Sequence, residues 1–204
     1  MSQARIVVLV SGNGSNLQAL LDAAASGELG GDVVAVVSNR PGAYGLERAE
    51  RAGVPAVAVA PEQDEPRRAY DARLAEVVAG FSPDLIVLAG WMRILTMGFL
   101  GRYPDKVVNL HPALPGELPG VRAIERAWDE RARGERDVSG VMVHLVPDEG
   151  VDSGPVLATA TIDMTAFTTL DDFERHVHHV EHRLLVEAVG TLCRQSTSTT
   201  EVSP

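Results

Sequence analysis

Asn109 and His111 flank Leu110 at the end of a short apolar run, Lys106-Val107-Val108-Asn109-Leu110, and Pro112 follows. Side chains of a strand alternate between faces, so Asn109 and His111 share one face while Leu110 turns into a core. An amide and an imidazole on one face can hold a carbonyl oxygen as it becomes an oxyanion. The amide donates neutral hydrogen bonds. A protonated imidazole donates a charged one, and it can pass a proton near neutral pH. A lone histidine at a strand end also reads as a hydrogen-bonded structural residue. Asp152 lies in the turn-forming run Asp148-Glu149-Gly150-Val151-Asp152-Ser153-Gly154-Pro155. A carboxylate there can orient His111 and raise its pKa by opposite charge. Taken alone, the same run reads as a solvated acidic hairpin loop.

A second polar cluster, Ser11-Gly12-Asn13-Gly14-Ser15-Asn16, follows the first apolar run. Glycine permits a tight turn and a close backbone approach to a ligand. A helix starting here presents free N–H groups and a positive dipole end, which suits a phosphate. The spacing lacks the third glycine of a dinucleotide fingerprint and the Gly-Lys-Ser/Thr of a P-loop. A strand-to-helix turn capped by Ser15 accounts for the same residues equally well.

The elements that must position these groups follow from periodicity. Residues 5–10, 33–38, 56–60, 84–89 and 106–110 are short apolar runs that read as buried strands. Residues 15–26, 43–52 and 66–79 read as the helices between them, the last with Pro66 in its first turn. Continuous apolar strands alternating with helices imply a doubly wound α/β fold around a mostly parallel sheet. A charged helix spans 125–136. Residues 138–146 and 155–163 are then expected as an antiparallel strand pair extending the sheet, and 169–193 as a long terminal helix. Residues 1–194 read as a single domain. Residues 195–204, rich in Ser and Thr, read as a disordered tail.

The 204-residue length suffices for one domain with a sizeable core. A net charge of −10 disfavours sequence-independent binding to nucleic acid, though a local pocket can still hold a small anion. The one cysteine, Cys193, excludes a disulfide framework and a cysteine zinc site. The apolar run Ile6 to Val10 is too short to span a membrane and lacks a cleavage pattern, so the expectation is a soluble cytoplasmic protein. His176, His178, His179 and His182 stud the terminal helix. His178 and His182 are one turn apart, but no H-E-x-x-H pattern accompanies them, and no metal is expected.

Together these segments resemble the glycinamide ribonucleotide formyltransferase family, folate-dependent enzymes of purine biosynthesis. The resemblance runs from Ile6 to Ala19, through Ser38-Asn39-Arg40, Gly45 to Ala49, Arg67 with Ala69-Tyr70-Asp71, and Leu88 to Leu95. It continues at Asn109-Leu110-His111-Pro112, Val151 to Pro155 and Glu181-His182. It implies formyl transfer from 10-formyltetrahydrofolate to the amine of glycinamide ribonucleotide, without a metal. Asn109, His111 and Asp152 match the family's catalytic trio: the first two stabilise the oxyanion, and Asp152 supports charged His111 and helps move protons. Gly14, Ser15, Asn16, Leu17 and Gln18 would hold the ribonucleotide, with Glu181 near its ribose. Met92, Arg93, Ile94 and Leu95 would cradle the pterin, with Asn109 beside them and Arg67 near the benzoyl-glutamate. The implied partners are small molecules, for a monomer or homodimer.

The chain departs from the family pattern near the amine side. Ala113-Leu114-Pro115-Gly116 replaces Ser-Leu-Leu-Pro, the stretch from His111 to Asp152 is longer, Pro147 looks like an extra residue, and His178 replaces a Lys or Gln. Another amine acceptor, such as an amino sugar nucleotide, and a non-catalytic folate- or nucleotide-binding module are the alternatives.

Overall fold

The computed structural model describes residues 3–199. Seven strands form one sheet in the order β3-β2-β1-β4-β5-β6-β7. The strands are β1 (Ala4–Val10), β2 (Gly31–Ser38), β3 (Ala56–Ala58), β4 (Leu85–Leu88), β5 (Val107–His111), β6 (Val138–Leu145) and β7 (Val156–Asp163). β1 to β5 pair in parallel, and β5–β6 and β6–β7 are antiparallel. The helices are α1 (Ser15–Ser26), α2 (Tyr44–Arg51), α3 (Arg67–Ala79), α4 (Met97–Leu100), α5 (Ala123–Ala132) and α6 (Leu170–Thr199). The expected doubly wound, mostly parallel sheet with an antiparallel strand pair and a long terminal helix is what forms.

Alternation along the strands divides the core. Ile6, Val8 and Val10 of β1, with Val108 and Leu110 of β5, pack against the apolar stripes of α1, α5 and α6. Val7, Leu9, Ile86, Leu88 and Val107 face the other way, onto Tyr70, Leu74 and Val78 of α3 and Phe99 of α4. Leu110 is therefore a core residue, and Asn109 and His111 belong to the opposite face of β5.

The differences from the sequence reading have local causes. α4 has four residues, too few for a helical period to register. The charged helix starts two residues earlier than read and stops at Ala132, ahead of Gly134 at φ +72°. Pro66 is the N-cap of α3 rather than part of its first turn. α6 continues to Thr199, past residue 194; residues 200–204 of the expected tail lie outside the described residues.

The loops leaving the carboxyl ends of β1, β4 and β5 emerge side by side, because Leu9 pairs with Leu88 and Leu88 with Asn109. Between β1 and β4 the chain reverses its direction of strand addition, from β2 and β3 on one side to β5 on the other. Crevices at such switch points are where open α/β sheets bind ligands.

Candidate active site

Two adjoining cavities occupy this edge. The larger, about 680 Å³, lies within the size range of small-molecule sites. Its wall includes Arg67, Met92 to Leu95, Asn109, His111, His144 and Asp152. The smaller, about 230 Å³, is lined by Ser11 to Asn16, Arg40, Ala89, Gly90 and Met92. Gly90 and Met92 border both. The Ser11 hydroxyl joins the two walls: it donates to Asn39 Oδ1 at 2.6 Å and accepts from the Met92 N–H at 2.9 Å.

The three residues expected to be catalytic come together around Asp152. Its Oδ1 accepts from Asn109 Nδ2 at 3.0 Å, its Oδ2 accepts from the Gly120 N–H at 2.8 Å, and His111 Nδ1 stands 3.3 Å from Oδ2. Two backbone features let the loop deliver this carboxylate. Asp152 is left-handed at φ +51°, a conformation Asp tolerates better than most residues. Gly154 passes so close to β6 that a Cβ would stand 1.9 Å from Leu145 O. The loop is also tied to α4, where the Met97 N–H donates to Glu149 Oε1 at 3.0 Å.

His144 joins this cluster, and the sequence reading gave it no role. Antiparallel register puts it directly opposite Asn109 on the same sheet face. Its Nδ1–H donates to Leu145 O at 2.8 Å, which leaves Nε2 to accept from Asn109 Nδ2 at 3.2 Å. The Nε2–Asp152 Oδ1 separation of 3.6 Å is too long for a hydrogen bond. Both Asn109 N–H groups are thus held, one by His144 and one by Asp152. Spacing within one strand carried no sign of this partner, since His144 sits in an otherwise apolar run.

His111 is 4% exposed, and its Nε2–H donates to Leu118 O at 3.0 Å. Burial pushes its pKa down. Asp152 and the Leu118 carbonyl pull it up, and burial wins, leaving it below the ordinary histidine value of 6.5. Asp152 has the sign expected from the sequence, but its effect is the smaller one. The Asp152 carboxyl is also driven upward by burial, yet His144, the Gly120 N–H and His111 together hold it below its usual 3.8. His111 therefore titrates below 6.5, and lower still after Asp152→Asn, as ring-proton NMR would measure. A midpoint above 6.5 contradicts this balance. The sign for stability follows: the unfolded chain binds the His111 proton first on acidification, so this group destabilises the fold as pH drops through 6.5.

At the smaller cavity, Gly14 rather than Ser15 is the N-cap of α1, at φ +75° and without a side-chain cap. The first helical bond is Gln18 N–H to Gly14 O, so the N–H groups of Ser15, Asn16 and Leu17 have no partner within the helix. A Cβ on Gly14 would stand 2.9 Å from Gly45 Cα. Gly14→Ala is expected to cost about 1–3 kcal/mol through the left-handed backbone and to raise the KM of the ligand held here. Thermal melts and substrate titration check both. Arg40, which the sequence reading gave no role, adds a cation to this wall.

Three expected binding residues line neither cavity. The Leu17 side chain is fully buried. Gln18 accepts from Arg48 at 3.0 Å and donates to Asp22 at 2.9 Å. Glu181 is buried and bonded through Oε2 to His178 Nδ1 at 2.6 Å, so a ribose contact requires it to leave His178. Among the described residues, no three His, Cys, Asp or Glu side chains group as a metal site.

The profile of the formyl transferase family matches residues 4–189. The chain belongs to that family. Among other formyl transferases, it is 41% identical to phosphoribosylglycinamide formyltransferase of Dictyostelium discoideum over 200 residues, 92% of this chain and 97% of the relative. It is 40% identical to the enzyme of that name from Escherichia coli, over 88% of this chain and 82% of the relative. Glycinamide ribonucleotide transformylase 1 of Symbiobacterium toebii superposes with a TM-score of 0.87 at 38% identity, covering 95% of this chain and 89% of that one.

Proposed function

We propose that this formyl transferase moves a formyl group from 10-formyltetrahydrofolate to the amine of glycinamide ribonucleotide in purine biosynthesis. The observation that carries the reading is the convergence of Asn109, His111 and Asp152 in a cleft that adjoins a glycine-loop anion pocket. The ribonucleotide phosphate sits on the Ser15 and Asn16 N–H groups beside Arg40, with Gly14 keeping the loop open. The larger cleft fits a folate. Exposed Met92 and Ile94 offer an apolar wall, Leu95 and Arg93 shape the loop, and Arg67 supplies a cation for a glutamate carboxylate.

The folate supplies an electrophilic formyl carbonyl. Asn109 releases one N–H from Asp152 or His144 and donates it to the formyl oxygen as negative charge grows there. His111, neutral near pH 7 with its proton on Nε2, takes the proton lost by the attacking amine at Nδ1 by way of Asp152, and its Nε2–H turns from Leu118 O toward the oxyanion. Asp152 stabilises the imidazolium so formed. The proton then passes to the departing folate nitrogen as the old C–N bond breaks, leaving a formamide and tetrahydrofolate.

The 1–194 domain is assigned this activity as a monomer or a homodimer. The cytoplasm is the assigned compartment, where a lone cysteine stays reduced. The test mixes the protein with 10-formyltetrahydrofolate and follows folate absorbance with and without glycinamide ribonucleotide. Turnover only with the ribonucleotide supports the assignment; turnover that ignores it sinks the acceptor.

A further inference from the structure

The polar groups of the loop that follows β4, residues 91–96, are unusually poorly paired. Among the described residues, six buried side-chain polar atoms lack a hydrogen-bond partner. Three of these, Trp91 Nε1, Arg93 Nε and Thr96 Oγ1, belong to this loop, and a fourth is Oδ1 of Asp71. Asp71 lies on α3, is fully buried, and reaches the loop with its other oxygen: Oδ2 accepts from the Thr96 N–H at 2.7 Å. That N–H stands at the N-cap of α4, where the loop ends.

A buried carboxylate with one hydrogen bond is a poor choice for stability, since its second oxygen loses water without gaining a partner. An apolar side chain packed between α3 and the loop would serve the core better. Residues that break a local rule in this way are expected where position matters more than stability. α3 is itself a firm base: Tyr70 O–H donates to Val59 O at 2.9 Å and Arg73 to Ala60 O at 2.9 Å. Tyr70, the neighbour of Asp71, carries the Arg93 guanidinium 4.6 Å above its ring. Two consecutive residues of α3 thus grip the middle and the end of the loop. Its exposed side chains, Met92 and Ile94, stay free to face the cleft.

We infer that Asp71 is a positioning residue for folate, setting the shape of the 91–96 loop through the Thr96 N–H while touching neither substrate. The inference rests on the reading of that loop as the folate cradle. Asp71→Ala is expected to raise the KM for 10-formyltetrahydrofolate at least tenfold, with kcat at saturation changed less than threefold and the ribonucleotide KM less than twofold. Asp71→Asn keeps an acceptor oxygen within reach of Thr96 and should recover the folate KM to within about threefold of the parent. If Asp71→Ala fails to fold, Thr96→Pro removes the same N–H at a residue whose φ of −85° lies near proline's range. It should reproduce the folate defect.

Amide hydrogen exchange without substrates separates the anchor from the cradle. In Asp71→Ala, residues 92–97 should exchange at least tenfold faster while β1 is unchanged, and in Thr96→Pro residues 92–95 and 97 should do the same. Unchanged loop exchange overturns the anchor. Faster loop exchange with an unmoved folate KM overturns the folate reading beneath it. Equal weakening of both substrates, or a fall in kcat alone, assigns Asp71 a general structural or catalytic role instead.

Discussion

Asp152→Asn lowers kcat by about 10²–10⁴-fold, the range of a lost acid–base partner, in steady-state assays at saturating substrates. The substitution is isosteric, but the site punishes it twice. Loss of the negative charge removes the group that stabilises the His111 imidazolium 3.3 Å away. The new amide also cannot satisfy its neighbours. Asp152 accepts on both oxygens, from Asn109 Nδ2 and from the Gly120 N–H. Either orientation of the substituted side chain points an NH₂ group at one of those donors. The expected consequence is a misoriented Asn109 as well as a weaker base. Activity within threefold of the parent would remove Asp152 from the chemistry.

His111→Ala lowers kcat by a similar factor, about 10²–10⁴, and leaves the folate dissociation constant within about threefold. The two effects separate because the proposed mechanism places folate on the loop at Met92 to Leu95 and His111 at the reacting atoms. Truncation leaves Leu118 O and Asp152 Oδ2 without their imidazole partner, so some loss of thermal stability accompanies the loss of rate. Fluorescence or calorimetric titration with folate decides the matter. Folate binding lost in proportion to turnover would make His111 a structural residue.

The parts of the fold legible in the sequence were those with local causes. Val- and Ile-rich runs mark the strands of the parallel sheet, and three-to-four spacing of Leu17, Leu20 and Leu21 marks α1. Strand alternation alone put Asn109 and His111 on one face and Leu110 in the core. Groups brought in by distant chain carried no local signal. His144 matters because β6 runs antiparallel to β5 in one register, and nothing within its own run distinguishes it from a core position. Asp71 looks like one more charge on a helix until α4 folds over it. Asp152 became a site residue through the resemblance, because a left-handed φ and a glycine without room for a Cβ are not readable from spacing. The assignments to Gln18 and Glu181 also came from resemblance. The structure engages those two side chains with Arg48 and His178.

The altered stretch between His111 and Asp152 still closes on the same carboxylate, through the Gly120 N–H. Arg122 and Leu118, both non-glycine residues at positive φ, bracket that contact. The departures from the family pattern therefore leave the arrangement of Asn109, His111 and Asp152 in place.

The most direct test follows the formyl carbon itself. The protein is mixed in stoichiometric amount with 10-formyltetrahydrofolate labelled with ¹³C at the formyl group, together with glycinamide ribonucleotide, and the label is followed by NMR. The expected result is transfer of the ¹³C signal to the formamide of the ribonucleotide, slowed by orders of magnitude in Asp152→Asn. Label that stays on the folate, or emerges as formate at the same rate without the ribonucleotide, would contradict the proposed reaction.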